Sequence, residues 1–107
     1  MKTLKKILHY ADLSEKSIEH YLVNRVKMIG GECLKYYNPH AVGYPDRIVL
    51  LPGGRVVWVE LKSYGEQPRA IQRQRIDRLR QLGQEVHICD SRQAVDAIVG
   101  PITLNQP

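Results

Sequence analysis

The sequence of 107 residues predicts an α/β fold, a mixed β-sheet flanked by helices in the order α-β-β-β-α-β-α. Three observations predict this fold. Apolar residues recur at helical spacing in separate stretches, short runs rich in Val and Ile have the length of strands, and Gly or Pro separates the two kinds of segment. The length and a hydrophobic content of 43% indicate a single globular domain over residues 1–107.

The elements follow from periodicity and from the residues at their ends. In the first helix, Ile18, Leu22 and Val26 share one face, and Asp12 or Ser14 can cap the start. The predicted elements are a helix over 14–29, strands over 32–37, 46–51 and 55–62, a helix over 68–83, a strand over 85–90 and a helix over 91–99.

Residues that favour the start or the end of a helix also delimit the other two helices and the terminal segments. Pro68 fits the first turn of the second helix, Gly83 fits its C-cap, and Ser91 can cap the last helix. Residues 1–13 are an N-terminal extension whose apolar spacing is compatible with a further amphipathic helix, and residues 100–107 are a short tail.

Two carboxylates stand at the end of a strand pair that is otherwise apolar. If the strands join through a Pro52-Gly53-Gly54 loop, Leu51 lies opposite Arg55 and Asp46 lies opposite Glu60. The Cβ atoms of opposed residues are about 4.5–5.5 Å apart. Two ionised carboxylates at that distance repel each other, and a divalent cation between them removes the repulsion. A bulge would shift the register, so this pairing is a hypothesis.

Two further polar residues are predicted to face the same place. Lys62 follows Glu60 by two positions and therefore shares its face of the strand, while the intervening Leu61 can offer its carbonyl oxygen to a cation. Gln72 precedes Ile76 by one helical turn and therefore faces the sheet, where its amide needs a partner. The alternative for Gln72 is a solvated helix edge.

Composition limits the classes of function. The net charge of +5 favours a polyanionic partner, most simply nucleic acid. The sequence contains neither an 18-residue apolar run nor a signal peptide, which argues against a membrane span. Cys33 and Cys89 suit two reduced thiols better than a disulfide, and the four histidines lack the spacing of metal ligands.

The segments "GYPDRIVLLPGGRVVWVELK" and "IQRQRIDRLRQLGQEVHICD" resemble the VRR-NUC domain of the PD-(D/E)XK nuclease superfamily. The resemblance covers residues 15–91 and rests on Gly43-x-Pro45-Asp46, on Glu60-x-Lys62, and on Gln72 eleven residues before Gly83. Stand-alone domains of this kind occur in bacteriophages. The resemblance implies a restriction-endonuclease-like core and a metal-dependent, structure-specific DNA endonuclease.

The resemblance also implies roles for individual residues. It makes Asp46 and Glu60 the ligands of Mg²⁺ or Mn²⁺, together with the Leu61 carbonyl, and it makes Lys62 and Gln72 catalytic residues. For the glutamate of the first helix, the resemblance to a related branch, the archaeal-type Holliday-junction resolvases, favours Glu19, which precedes Gly30 by eleven residues, with Glu15 as the alternative.

Basic residues are the candidates for binding the DNA backbone. They are Lys35, Arg47, Arg69 and Arg73, and the alternative is that they are ordinary solvated side chains.

The resemblance implies branched DNA, such as a Holliday junction, as the substrate. Cutting a four-way junction needs two active sites, which predicts a homodimer, and a phage protein would act in the cytoplasm of its bacterial host.

Other functions fit parts of the pattern. A flap or nicking nuclease would use the same site, and a restriction-type endonuclease would need a base-reading element that the sequence lacks. A catalytically weak DNA-binding or assembly module would need none of the acids. An RNA-binding module is disfavoured because the aromatic residues form no paired stacking motif on a strand.

Overall fold

The computed structural model describes residues 13–100, so the predictions for residues 1–12 and for the tail beyond Gly100 fall outside the described residues. Three helices and four strands follow the predicted order. They are α1 (Glu15–Met28), β1 (Glu32–Lys35), β2 (Arg47–Leu51), β3 (Arg55–Leu61), α2 (Ala70–Gln81), β4 (Glu85–Cys89) and α3 (Arg92–Val99).

The strands form one mixed sheet in the order β1-β2-β3-β4. Strand β2 is antiparallel to both β1 and β3, and β4 runs parallel to β3, to which it is joined through α2. The expected α/β fold with a mixed sheet is thus confirmed. Cys33 on β1 and Cys89 on β4 are free thiols on the two outer strands of the sheet.

Helices cover both faces of the sheet. On one face, α1 and α3 pack on the inward side chains of the strands, including Val49, Val57 and Val59, which are fully buried. On the other face, α2 packs on β3 and β4 through Ile76 and Leu79. Full burial of each such side chain contributes about 1.5–3 kcal/mol to folding. The alternation of strand side chains between the two faces therefore decides which helix each strand residue meets.

The helix starts agree with the sequence in two cases and differ in one. Ser14 caps α1 by accepting a hydrogen bond from the Ser17 amide, and Ser91 caps α3 in the same way. The sequence predicts Pro68 in the first turn of α2. In the structure the N-cap of α2 is Arg69, so Pro68 precedes the helix. The reason is that the Gln72 side chain, reaching back, accepts from the Arg69 amide and closes the helix start there.

The loop before β2 is held close to α2 by a glycine. Gly43 has a φ of +94°, and a Cβ atom at this position would lie 2.9 Å from the Ile71 side chain and 3.1 Å from the Ile71 carbonyl oxygen. A larger residue would therefore push the loop away from the helix. The close approach places the following Pro45 and Asp46 next to the start of α2.

Candidate active site

The predicted register of the β2–β3 hairpin is confirmed. Leu51 pairs with Arg55, Val49 pairs with Val57 and Arg47 pairs with Val59, so the next position brings Asp46 opposite Glu60. Asp46 lies just outside the strand, and its Oδ2 accepts a hydrogen bond of 2.9 Å from the Leu61 amide. This bond fixes the Asp46 carboxylate beside the backbone of β3, next to Glu60.

Glu60 is a buried carboxylate with only part of its hydrogen-bonding capacity used. The residue is 1% exposed, its Oε2 accepts from the Gln72 side chain, and its Oε1 is buried without a hydrogen-bond partner among residues 13–100. Desolvation, followed by the charge of Asp46, raises the pKa of Glu60 to about 8. The site therefore disfavours a second negative charge unless a cation is present.

Lys62 supplies one positive charge at the same end of β3. Its Nζ lies 3.7 Å from Glu60 Oε2, and the side chain is largely buried. The Lys62 amide donates to the Cys89 carbonyl at the end of β4, which fixes the backbone at this point. Its ammonium lowers the pKa of Glu60, but desolvation and Asp46 act more strongly in the other direction.

Gln72 faces the sheet, as the helical spacing predicted, and its partner is Glu60. Its Nε2 donates to Glu60 Oε2 at 3.1 Å, while its Oε1 accepts from the Arg69 amide at 2.8 Å. Both ends of the amide are used, so Gln72 links the start of α2 to the buried carboxylate. The structure thus brings together Asp46, Glu60, Lys62 and Gln72.

The structure does not bring Glu19 to these acids. Arg47 donates to Glu19 Oε2 from Nη2 at 3.0 Å and from Nε at 3.2 Å, on the α1 face of the sheet. The alternative residue, Glu15, interacts electrostatically with Asp46, Lys62 and Glu60. Burial and the Asp46 charge raise the pKa of Glu15. Of the two candidates, Glu15 is the one whose charge interacts with the charges of Asp46 and Glu60.

The Arg47 side chain is engaged within the fold, on the face of the sheet opposite Asp46. Its side chain is only 11% exposed and is used by Glu19 and by the carbonyl of Cys33. The physical reason is strand alternation, because residue 47 must point to the face opposite residue 46. Lys35 and Arg69 are exposed and Arg73 is partly buried, so these three remain candidates for backbone contacts.

The oxygen atoms at the site fit a hard divalent cation. Two carboxylates meet there, Glu60 has the unpartnered Oε1, and the Leu61 amide holds Asp46 in place by donating to its Oδ2. Within residues 13–100, no three His, Cys, Asp or Glu side chains are grouped closely enough to hold an ion by themselves. A cation would therefore need the two carboxylates plus backbone or water oxygens.

The sequence did not predict an aromatic cluster beside Asp46. The Tyr36 amide donates to the Asp46 carbonyl, which continues the β1–β2 pairing by one residue. The Tyr36 ring then packs edge-on against Trp58 and Tyr44, with centroids 5.2 and 5.8 Å away. Extending the register from β3 through β2 to β1 could have found this cluster, because Leu34, Ile48 and Trp58 lie in the adjacent row.

Comparisons with known proteins indicate the family of the chain. The chain is 42% identical over 80 residues, which are 75% of its length and 86% of the relative, to "Putative nuclease p44" of Acyrthosiphon pisum secondary endosymbiont phage 1. It is also similar to a solved structure described as a VRR-NUC domain, with a TM-score of 0.77 and 28% identity. That match covers 83% of this chain and 97% of the other.

No family model matches the chain. Among the helices of residues 13–100, none has the length and hydropathy needed to cross a bilayer.

Proposed function

Because this chain belongs to the VRR-NUC domain family, we propose that it is a metal-dependent DNA nuclease that hydrolyses phosphodiester bonds, with branched DNA as its substrate. The observation that carries the proposal is the environment of Glu60. A carboxylate with an unpartnered oxygen is buried beside a second carboxylate, and its pKa is raised to about 8. Such an arrangement is costly for a purely structural role, but it suits the binding of a cation.

Asp46, Glu60 and the Leu61 carbonyl would hold Mg²⁺ or Mn²⁺. When bound, the cation would lower the pKa of a water molecule and stabilise negative charge on the scissile phosphate. Lys62, the nearby ammonium, would orient the attacking water or neutralise charge that develops on the phosphate oxygens. Water would add to phosphorus as the bond from phosphorus to O3′ breaks, leaving a 3′-hydroxyl and a 5′-phosphate.

Gln72 and Glu15 would assist from the two helices. Gln72 fixes Oε2 of Glu60 through its hydrogen bond and so leaves Oε1 available. Glu15, at the start of α1, would provide a further carboxylate near Asp46, either through water or to a second ion. Glu19 would hold Arg47 and support the sheet instead.

The choice of branched DNA follows from the family resemblance of the sequence, and the charge is compatible with it. A net charge of +5 favours binding to the phosphate backbone, and the sequence shows no base-reading motif, so the shape of the DNA would decide recognition. A Holliday junction must be cut at two symmetric strands, which a homodimer can do with its two sites. A flap or nick would need a single site.

The test is a panel of labelled Holliday junctions, flaps, nicked duplexes and intact duplexes, incubated with the protein in Mg²⁺, Mn²⁺ or EDTA. We expect the cation to be required and Asp46→Asn and Lys62→Ala to lose cleavage by about 100-fold or more while binding survives. Asp77→Asn and Lys27→Ala, which alter exposed residues on α2 and α1, are the matched controls.

Two outcomes of this panel would redirect the proposal. Cleavage that is equal in EDTA, or undiminished in both site variants, would refute the assigned chemistry. Binding without any cleavage in either metal would favour a DNA-binding or assembly module. Sedimentation of the same samples would show whether the active species is a dimer.

A further inference from the structure

A cavity opens beside the candidate active site and shares residues with it. It has a volume of about 240 Å³ and lies between the loop before β2 and the start of α2. Asp46 and Gln72 belong to its lining, so it is continuous with the carboxylate site. The volume is below the range of about 300–1,000 Å³ that is typical of pockets for drug-sized ligands. The cavity therefore suits one small group of a larger molecule.

Aromatic side chains form much of the cavity wall. Tyr36 and Tyr44 line it, and both rings are held in place by contacts with each other and with Trp58. An Arg75 guanidinium lies 4.9 Å from the centroid of the Tyr44 ring, which further fixes that ring. The wall is thus rigid, aromatic and polar at its edges, which are the features of a binding surface for a planar group.

Tyr37 differs from its neighbours because its ring is left in water. It lines the same cavity, is 83% exposed, and makes no hydrogen bond or ring contact within residues 13–100. The loop around it is nevertheless ordered by its own bonds, since Asn38 accepts from the His40 amide and donates to the Tyr36 hydroxyl. An exposed ring on an ordered loop can accept a stacking partner at little cost in conformational entropy.

We propose that this cavity binds one unstacked nucleobase of the DNA, from a nucleotide next to the scissile phosphate, with Tyr37 as the stacking surface. The inference rests on the proposed function and deepens it. With the phosphate at Asp46 and Glu60, the bases of the two flanking nucleotides are the planar groups of DNA that are tethered nearest to the cavity. Arg69, which also lines it, is the nearby cation for the phosphate of that nucleotide.

This site would select substrates by the pairing of one nucleotide. A base inside a duplex must be unstacked and unpaired before it can enter, whereas a base at a frayed branch point or a flap junction is already free. Stacking on an aromatic side chain strengthens binding of a base by about 5- to 150-fold, with little dependence on its identity. The preference for branched DNA would then arise at the active site, without sequence specificity.

The experiment maps the cleaved bond with the wild-type protein and then varies only the two flanking nucleotides. Each is made paired, unpaired or abasic, and kcat/KM is measured for wild type, Tyr37→Phe and Tyr37→Leu. We expect an unpaired base to be favoured over a paired one, and one abasic position to lower kcat/KM about tenfold. Tyr37→Phe should keep this discrimination, and Tyr37→Leu should lose it. Met28→Ala, which removes an exposed apolar side chain from α1, should change nothing.

A second readout does not depend on catalysis. In the Asp46→Asn background, 2-aminopurine at the sensitive position should lose fluorescence on binding, and Tyr37→Leu should prevent that loss. The inference fails if wild-type cleavage is indifferent to an abasic site on either side, or if Tyr37→Leu slows base-containing and abasic substrates equally. If the wild type cleaves no DNA at all, the proposed function fails, and the base site fails with it.

Discussion

The side-chain amide of Gln72 joins the first turn of α2 to the buried carboxylate of Glu60 through a hydrogen bond of 3.1 Å. Because the other end of the same amide accepts from the Arg69 backbone, Gln72 has one fixed orientation. The bond is made to Oε2, and Oε1 of Glu60 stays without a partner within the described residues. A residue on a helix thus sets the orientation of a side chain on a central strand.

Removing this amide should weaken the metal site without abolishing it. Gln72→Ala leaves Glu60 free to rotate, and we expect the apparent affinity for Mg²⁺ in the cleavage reaction to fall by about 10- to 100-fold. Titration of the cleavage rate with Mg²⁺ measures the effect. Gln74→Ala, on the exposed side of the same helix, is the control. An unchanged Mg²⁺ dependence in Gln72→Ala would show that Gln72 has only a helix-capping role.

Glu60 should make the metal-free protein less stable as the pH rises. Its pKa is raised from 4.5 to about 8 in the folded state, so the folded protein binds a proton that the unfolded chain has released. The free energy of unfolding should therefore fall between pH 4.5 and 8 and level off above pH 8. Glu60→Gln lacks this dependence and should be more stable than wild type at pH 8.5, by an amount on the order of a few kcal/mol.

Urea unfolding in EDTA at pH 5 and pH 8.5 tests the role of Glu60. The advantage of Glu60→Gln should be small at pH 5 and large at pH 8.5. Glu32→Gln, at an exposed position of β1, should follow the wild-type profile. Parallel profiles for wild type and Glu60→Gln would mean that Glu60 is already ionised in the folded protein at neutral pH.

Substitutions of the two glutamates of α1 should affect different properties of the protein, cleavage in one case and stability in the other. Glu15→Gln removes a charge that acts on Asp46 and Lys62, so cleavage and metal affinity should fall while stability is maintained. Glu19→Gln leaves the partly buried Arg47 without its anion, which should cost about 1–3 kcal/mol of stability with cleavage largely retained. Thermal melts and cleavage rates on both variants decide this. The reverse pattern would assign the site glutamate to Glu19.

Contacts between basic side chains and the DNA phosphates should be detectable in the salt dependence of DNA binding. In the Asp46→Asn background, Lys35→Ala, Arg69→Ala and Arg73→Ala should each reduce the slope of log K against log salt by about one. Fluorescence anisotropy at several salt concentrations measures the slope. Arg80→Ala is the control, because its guanidinium already donates to the Val86 carbonyl. A residue whose removal leaves the slope unchanged makes no phosphate contact.

Local rules were sufficient to predict most of the fold. The period of two in the strands and the short loop between them fixed the hairpin register, and hence the meeting of Asp46 with Glu60. Helical spacing placed Gln72 toward the sheet, although only the structure shows that Glu60 is its partner. These predictions succeeded because each depends on residues that are close in sequence or joined by one turn.

The features that the sequence leaves open depend on contacts between distant segments. Glu15 and Glu19 lie one turn apart on α1, so helical geometry alone does not distinguish them, and the ion pair with Arg47 does. Tyr36 and Trp58 meet only because three strands align in one register. Strand alternation alone separates Arg47 from Asp46, because consecutive residues of one extended segment face opposite sides of the sheet.

The opposite orientation of residues 46 and 47 determines where the chain can change in length during evolution. Asp46 and Arg47 are consecutive residues with opposite charges, and their side chains lie on opposite faces of the sheet. Asp46 lies beside Glu60, and Arg47 forms an ion pair with Glu19. Extra residues in the exposed turn around Gly53 would leave both of these contacts unchanged. A single residue inserted within β2 would send a guanidinium toward Glu60 and a carboxylate toward Glu19, so related sequences should vary in the turn and keep the length of the strand constant.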